Sequence, residues 1–244
     1  MTDKVMITAH SGCEGTPDNS PESILKGIEA GADCIEIDIR MDPEGALWLT
    51  HNEIEDYSAA LPLETAFRMI MEGGAAVNCD LKEENLLYPV LEAAEAAGIP
   101  REKLIFTGSV NLSLLAADPA LVKRARFFLN MDQIFRFLLK GAPLPENWDE
   151  RGAFFDGHAE AIAELVKRLG AEGINPSFKM MTPERLAVSH SLGIGLSLWT
   201  INEEEDQERF LREGLINMTT RNVVSAVRIR SGQGSVVRKM RNEK

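Results

Sequence analysis

Short β-rich apolar runs alternate with helix-period segments from one end of the chain to the other, and this alternation restricts the fold to a parallel α/β architecture. Eight such runs are read near residues 5–10, 34–39, 76–82, 103–107, 124–129, 172–176, 195–199 and 215–219. Helical patterns fall between them, at 20–30, 62–72, 84–97, 110–118, 157–169, 182–191 and 203–213. Ser20-Pro21 and Thr182-Pro183 each place a capping hydroxyl before a proline at the first helical position. Gly31, Gly98, Gly193 and Gly214 stand where a left-handed residue closes a helix. Eight strands within 244 residues fit one closed barrel. The expected fold is therefore an α/β (β/α)₈ TIM barrel in a single domain, residues 1–230, followed by a basic C-terminal tail, 231–244.

Two stretches interrupt the rhythm. Asp42-Pro43-Glu44-Gly45 reads as a turn from the second strand into a short returning strand, Ala46 to Thr50, which brings His51 back to the barrel mouth. Residues 131–156 hold a helical pattern, a Gly/Pro-rich segment from Gly141 to Glu146 and an apolar run at 153–155; they are read as an elaboration between strands five and six.

Composition limits the function. The net charge of −12 disfavours nucleic acid as a partner and points to a small molecule. No apolar run reaches the length of about 20 residues that a membrane span requires, so no transmembrane segment is expected. Met1 to Thr8 lead straight into the first strand without the basic and apolar regions of a signal peptide, and Cys13, Cys34 and Cys79 read as free thiols; both suggest a cytoplasmic location. The basic stretch from Arg228 to Lys244 reads as a solvated terminus rather than a lipid-binding surface. Homo-oligomerisation is compatible with the sequence.

The chemistry follows from strand parity. Side chains of a barrel strand alternate between the axis and the helix layer. Ile35, Ile37 and Ile39 thus share one face, while Glu36 and Asp38 share the other. Asn78, Asp80 and Lys82 point inward from the third strand by the same rule. Carboxylates brought together out of water need a positive partner, and a hard divalent cation, Mg²⁺ or Ca²⁺, suits the oxygen donors of Glu36, Asp38 and Asp80. The alternative is an internal salt-bridge network served by Lys82. His10 and His51 end their strands at the rim above these acids, where a proton-exchanging pair would flank the cation; each taken alone is also readable as structural. His158 and His190 fall on helical patterns and are read as surface or packing residues. Trp199 shares parity with Ser197 and would wall one side of the pocket or pack in the core. The loop from Gly12 to Ser20 leads into the first helix, whose N-terminus would favour an anionic group.

Taken together, these segments resemble the glycerophosphodiester phosphodiesterase family. The resemblance runs through Ala9-His10, Pro17-Asp18-Asn19-Ser20, Glu29 to Asp33, Glu36-Ile37-Asp38-Ile39-Arg40, Gly45, His51-Asn52, Asn78-Cys79-Asp80-Leu81-Lys82, Ile174-Asn175-Pro176, and Gly193 to Asn202. It implies a TIM-like barrel, a divalent cation at Glu36, Asp38 and Asp80, an acid/base pair at His10 and His51, and a phosphate contact from Lys82. The implied reaction converts a small-molecule glycerophosphodiester into a phosphomonoester, such as glycerol 3-phosphate, and an alcohol. Either water or a neighbouring substrate hydroxyl would serve as nucleophile.

The chain departs from the family pattern at four positions. Ser11 replaces the usual arginine, so that Ser11→Arg is expected to add a charge-assisted phosphate contact if the side chain fits. Asp80 replaces a glutamate, as in the related spider-toxin sphingomyelinase D branch. Asn52 and Thr220 each stand where an aspartate is usual. The stretch from Glu53 to Leu61 is short where bacterial members carry an insertion, which implies a more open pocket. Competing readings are a noncatalytic or altered-specificity phosphodiester-binding barrel, a lysophospholipase D-like activity, and a metal-assisted lyase acting on an enolate.

Overall fold

The structure is a computed structural model and describes residues 4–232. Its strands are β1 (Met6–Ala9), β2 (Cys34–Met41), β3 (Leu47–Leu49), β4 (Leu61–Pro62), β5 (Ala76–Leu81), β6 (Leu104–Gly108), β7 (Arg126–Asn130), β8 (Gly173–Asn175), β9 (Ser197–Leu198) and β10 (Asn217–Thr220). Its α-helices are α1 (Pro21–Glu29), α2 (Leu63–Glu72), α3 (Leu87–Ala96), α4 (Leu112–Ala117), α5 (Met131–Leu138), α6 (Trp148–Leu169), α7 (Pro183–Ser191), α8 (Glu204–Phe210) and α9 (Val223–Arg230). Eight strands pair in parallel in the order β8-β7-β6-β5-β2-β1-β10-β9, and parallel bridges Ile174↔Leu196 and Ser177↔Trp199 close the ring. This is the expected barrel. The four predicted helix-closing glycines all have positive φ, between 68° and 83°.

Strand parity holds around the ring. Ile35, Ile37, Ile39, Val77, Cys79, Leu81, Phe106 and Phe127 pack outward with the helices into the main core. Inside the barrel, Cys34, Ala76, Ile105 and Phe128 form a separate apolar floor, with Met6 and Ile216 packed on it. Above the floor lies a belt of short polar side chains that satisfy one another. Thr8 donates to Asn217 (2.6 Å), Asn217 to Ser197 (2.9 Å), Ser197 to Asn175 (2.7 Å) and Asn175 to Asn130 (2.9 Å). Buried polar groups paired in this way avoid the penalty of an unmet donor or acceptor. The titratable groups stand above this belt, at the C-terminal ends of the strands, where functional residues of this architecture gather.

The turn at Asp42–Gly45 forms as expected: β3 returns antiparallel to β2, with Ile39 opposite Leu49. A further short strand, β4, pairs with β3 and leads into α2.

Three expectations change. The second helix of the elaboration begins at Trp148, not near 157, so the apolar run at 153–155 lies inside α6. Arg228 and Arg230 do not begin a solvated terminus. They lie on α9, where Arg228 ion-pairs with Glu204 and Arg230 with Asp33. The rest of the expected basic tail, from residue 233 onward, lies outside the described residues. Finally, the N-terminus of α1 is capped by the Ser20 hydroxyl, which accepts from the Ser23 N–H, and carries Glu22 in its first turn, so a negative charge already stands at that end of the helix. Among the described residues no helix is long and apolar enough to cross a membrane. All three cysteines are buried free thiols.

Candidate active site

Parity and register bring the acids together. β2 and β5 pair with Glu36 beside Asn78 and Asp38 beside Asp80, so inward positions on the two strands lie at matching heights. Glu36, Asp38 and Asp80 can each offer an oxygen such that all three lie within 4.8 Å of one another. Lys82, just beyond the end of β5, bridges the pair: its Nζ is 2.6 Å from Asp38 Oδ1 and also bonds Asp80 Oδ2. The expected salt bridges and the expected acid cage are therefore the same cluster. With one ammonium for three carboxylates, the cluster retains negative charge.

The ionisation of these groups follows from their surroundings. Burial pushes the Glu36 carboxyl well above its usual range, and the neighbouring Asp38 and Asp80 charges push it the same way. Burial acts against Asp38 as well, but the Lys82 ammonium and the Asn19 amide outweigh it and hold this carboxyl below its ordinary value. Burial works against the Lys82 ammonium too, yet Asp80, Asp38 and Glu36 keep its pKa raised. The donor set of buried oxygens with excess negative charge, and no thiolate among them, fits a hard divalent cation.

Both histidines stand beside the cage. The His10 Nδ1 is 2.8 Å from the Ser11 carbonyl and 3.8 Å from Glu36 Oε2. A carbonyl only accepts, so Nδ1 carries the hydrogen and Nε2 keeps a lone pair. Burial lowers the pKa of His10, which keeps the ring neutral near neutral pH. His51 is 64% exposed, and its Nδ1 lies 3.4 Å from Asp38 Oδ2. Its carbonyl accepts a hydrogen bond from Arg40 (3.1 Å), which in turn pairs with Glu83, so the end of the returning strand is tied to β2.

The loop after β1 behaves differently from expectation. Ser11 is only 3% exposed. Its N–H donates to Glu36 Oε2 (2.9 Å) and its hydroxyl accepts from the Asn19 N–H (2.6 Å). The Asn19 side chain in turn donates to Asp38 Oδ2 (2.8 Å) and accepts from the Asp38 N–H (3.1 Å). Ser11 is not among the residues lining the cavity, and both its N–H and its hydroxyl are engaged in this chain of bonds. Asn19 belongs to the quoted motif, but its role needed the fold: a left-handed φ of 54° turns its amide onto β2.

The cavity over the cage has a volume of about 230 Å³. His10, His51, Lys82, Trp199 and the three acids all line it. Trp199 thus forms the expected wall, fixed by its indole N–H on the Asn175 carbonyl (2.8 Å). His158 and His190 stay on α6 and α7, away from it; His158 stacks on Phe154. The sequence reading missed Trp148, Arg151 and Asp132, which line the same cavity.

No family model matches the chain. The chain is 31% identical over 227 residues to the uncharacterized protein YqiK of Bacillus subtilis, an alignment covering 88% of this chain and 93% of that protein. It is 22% identical over 253 residues to the glycerophosphodiester phosphodiesterase of Caldanaerobacter subterraneus subsp. tengcongensis, covering 89% and 94%. The chain belongs to the glycerophosphodiester phosphodiesterase family. Its fold is shared with an Oleispira antarctica phosphodiesterase solved in complex with the product sn-glycerol-3-phosphate, at a TM-score of 0.65, 18% identity and coverage of 92% and 96%. In this chain Ser11 and Asn19 together form a bonded bridge to both carboxylates of β2, Glu36 and Asp38.

Proposed function

We propose that the chain hydrolyses a glycerophosphodiester, in a reaction dependent on Mg²⁺ or Ca²⁺, to a phosphomonoester such as glycerol 3-phosphate and an alcohol. The observation that carries this reading is the convergence of Glu36, Asp38 and Asp80 within 4.8 Å, flanked by His10 and His51 and bridged by Lys82. A divalent cation held by these three acids would offset charge on the nonbridging phosphoryl oxygens. His10, neutral and with a free Nε2, accepts the proton of the nucleophile. His51, open to solvent and oriented by Asp38, returns a proton to the departing alkoxide as the ester P–O bond breaks. Lys82 remains an ammonium throughout and donates to a phosphoryl oxygen. Trp199 limits where the ester can lie. The nucleophile is water, or the vicinal hydroxyl of glycerol if a cyclic phosphate forms first. Three buried free thiols support a cytoplasmic setting, and a product such as glycerol 3-phosphate would feed glycerol and lipid metabolism.

The test is ³¹P NMR of the purified protein with glycerophosphocholine, glycerophosphoethanolamine, a lysophospholipid and an aryl phosphodiester, each with and without cation. A cation-dependent phosphomonoester signal is expected, lowered by about 10²-fold or more in His10→Ala and His51→Ala. Undiminished turnover after exhaustive chelation, or none with any cation, would overturn the reading.

A further inference from the structure

The proposed chemistry leaves several residues of the cavity lining without a role. Most of them come from the connection from β7 to β8, where α5 leaves the barrel and α6 returns over the mouth. Asp132 on α5 and Arg151 on α6 form an ion pair there. The Arg151 guanidinium lies 5.0 Å above the Trp148 ring, and Trp148 meets Trp199 edge-on, with centroids 6.0 Å apart and planes at 80°. Met131 and Met180 complete this wall. None of these groups touches the acid cage through a hydrogen bond or ion pair among the described residues, so the wall has no part in holding the cation. The side chains of Arg151 and Asp132 keep 21% and 38% exposure, which leaves polar atoms available to a ligand.

Charge selects what this wall accepts. A quaternary ammonium group seeks open aromatic faces, but a guanidinium already covers Trp148 and repels a second cation. An anionic headgroup would meet the Asp132 carboxylate. A neutral polyol meets neither objection. Each hydroxyl can accept from an Arg151 N–H and donate to an Asp132 oxygen without disturbing a balanced pair. At the edge of the belt the Asn130 side-chain oxygen accepts from Asn175, while its amide N–H₂ makes no hydrogen bond among the described residues and lines the same cavity.

We propose that Trp148, Arg151 and Asp132 form a subsite for the leaving alcohol and that it takes a neutral polyhydroxylated headgroup, a glycerol, cyclitol or sugar, in preference to choline or ethanolamine. The proposal rests on the phosphodiesterase reading for its link to turnover.

The experiment compares kcat/KM for glycerophosphoinositol and glycerophosphocholine in the wild-type protein, Arg151→Gln and Asp132→Asn, with folding followed by circular dichroism melting. The wild type is expected to favour the inositol ester by about tenfold or more, and each variant to reduce that ratio by about fivefold or more, because a site built to bond hydroxyls discriminates by the bonds left unmet. A wild-type preference for choline, or ratios in both variants within about twofold of wild type, would overturn the subsite. Should Arg151→Gln fail to fold, Arg151→Lys keeps the charge but loses the two-pronged geometry, and a reduced ratio is again expected. If neither ester is cleaved with any cation, the phosphodiesterase reading fails and binding decides the subsite. Tryptophan fluorescence should then report tighter binding of glycerophosphoinositol than of glycerophosphocholine, a difference diminished in Asp132→Asn. Equal affinities would reject the subsite.

Discussion

Ser11 and Asn19 show how two small side chains set the ionisation and position of the acids. The Ser11 N–H bonds Glu36, its hydroxyl holds the Asn19 backbone, and the Asn19 amide holds Asp38 twice. A guanidinium at position 11 would have to displace the Asn19 contact before it reached phosphate. We therefore expect Ser11→Arg, which the sequence alone marks as a gain, to lower stability by about 1–3 kcal/mol and to give no increase in kcat/KM for a small phosphodiester. Urea unfolding alongside kinetics checks this, and a faster, equally stable variant would show that the loop makes room. Asn19→Ala removes both bonds to Asp38 and leaves at a φ of 54° a residue less suited than asparagine to the left-handed region. It should weaken cation binding by about 10- to 100-fold in isothermal titration calorimetry, the usual scale for groups that orient a ligand. Asn19→Gly relieves the backbone strain but not the lost bonds, so its affinity should fall equally while its stability falls less.

At the scale of elements, the barrel was legible because period-two alternation sorts each strand independently of distant contacts. Glu36, Asp38, Asp80 and Lys82 could be placed inward for that reason. The Asn19 bridge was not legible, since it joins residues 19 apart through a left-handed turn. Nor was the wall of Trp148 and Arg151, because the start of α6 was hidden. Gly152 and Gly157 lower the local helix preference, and tertiary packing overrides it. The reason for Gly152 is visible in the fold. A Cβ there would lie 2.1 Å from the Arg185 Nη1, and Arg185 is held by Asp156 at 2.9 and 2.8 Å and by the Met180 carbonyl at 2.8 Å. Arg185 so ties α7 and the cavity-lining Met180 to α6. Gly152→Ala improves helix propensity by about 1 kcal/mol, yet displacing that guanidinium costs charge-assisted bonds of about 1.5–3 kcal/mol each. We expect net destabilisation by chemical denaturation, and much less of it when Arg185 is already alanine. Additive effects in that double-mutant cycle would mean that Gly152 serves something other than this contact.

Across the whole molecule, the chain carries a net charge of −12, and the barrel mouth gathers three of its carboxyl groups largely out of water. The pH dependence of the cation-free protein follows from the signs of the shifts. Glu36 has a folded pKa above its unfolded value, so its contribution to stability is full below the ordinary carboxylate range and is lost as pH rises towards the folded pKa. Asp38 is depressed, and its contribution is lost only as pH falls through the acid range; Lys82 is raised, and its contribution is lost only on the alkaline side. Near neutrality this leaves Glu36 and His10. His10 has the opposite slope, because its lowered pKa removes stability as pH falls below its unfolded value. The informative quantity is therefore the stabilisation caused by cation at each pH, in which the slope of a neutral His10 largely cancels. Because burial raises the Glu36 pKa, cation and proton compete for its carboxyl, so binding is expected to release protons and to tighten as pH rises. The gain in Tm at a fixed Mg²⁺ concentration should be larger at about pH 8 than at about pH 6, with proton release seen as a buffer-dependent heat in calorimetry. Glu36→Gln carries no such proton, so its smaller cation response should be nearly flat across the same range. A wild-type response that is equally flat, with no proton released, would show that Glu36 is already ionised in the cation-free barrel and that the three acids share their charge in some other way.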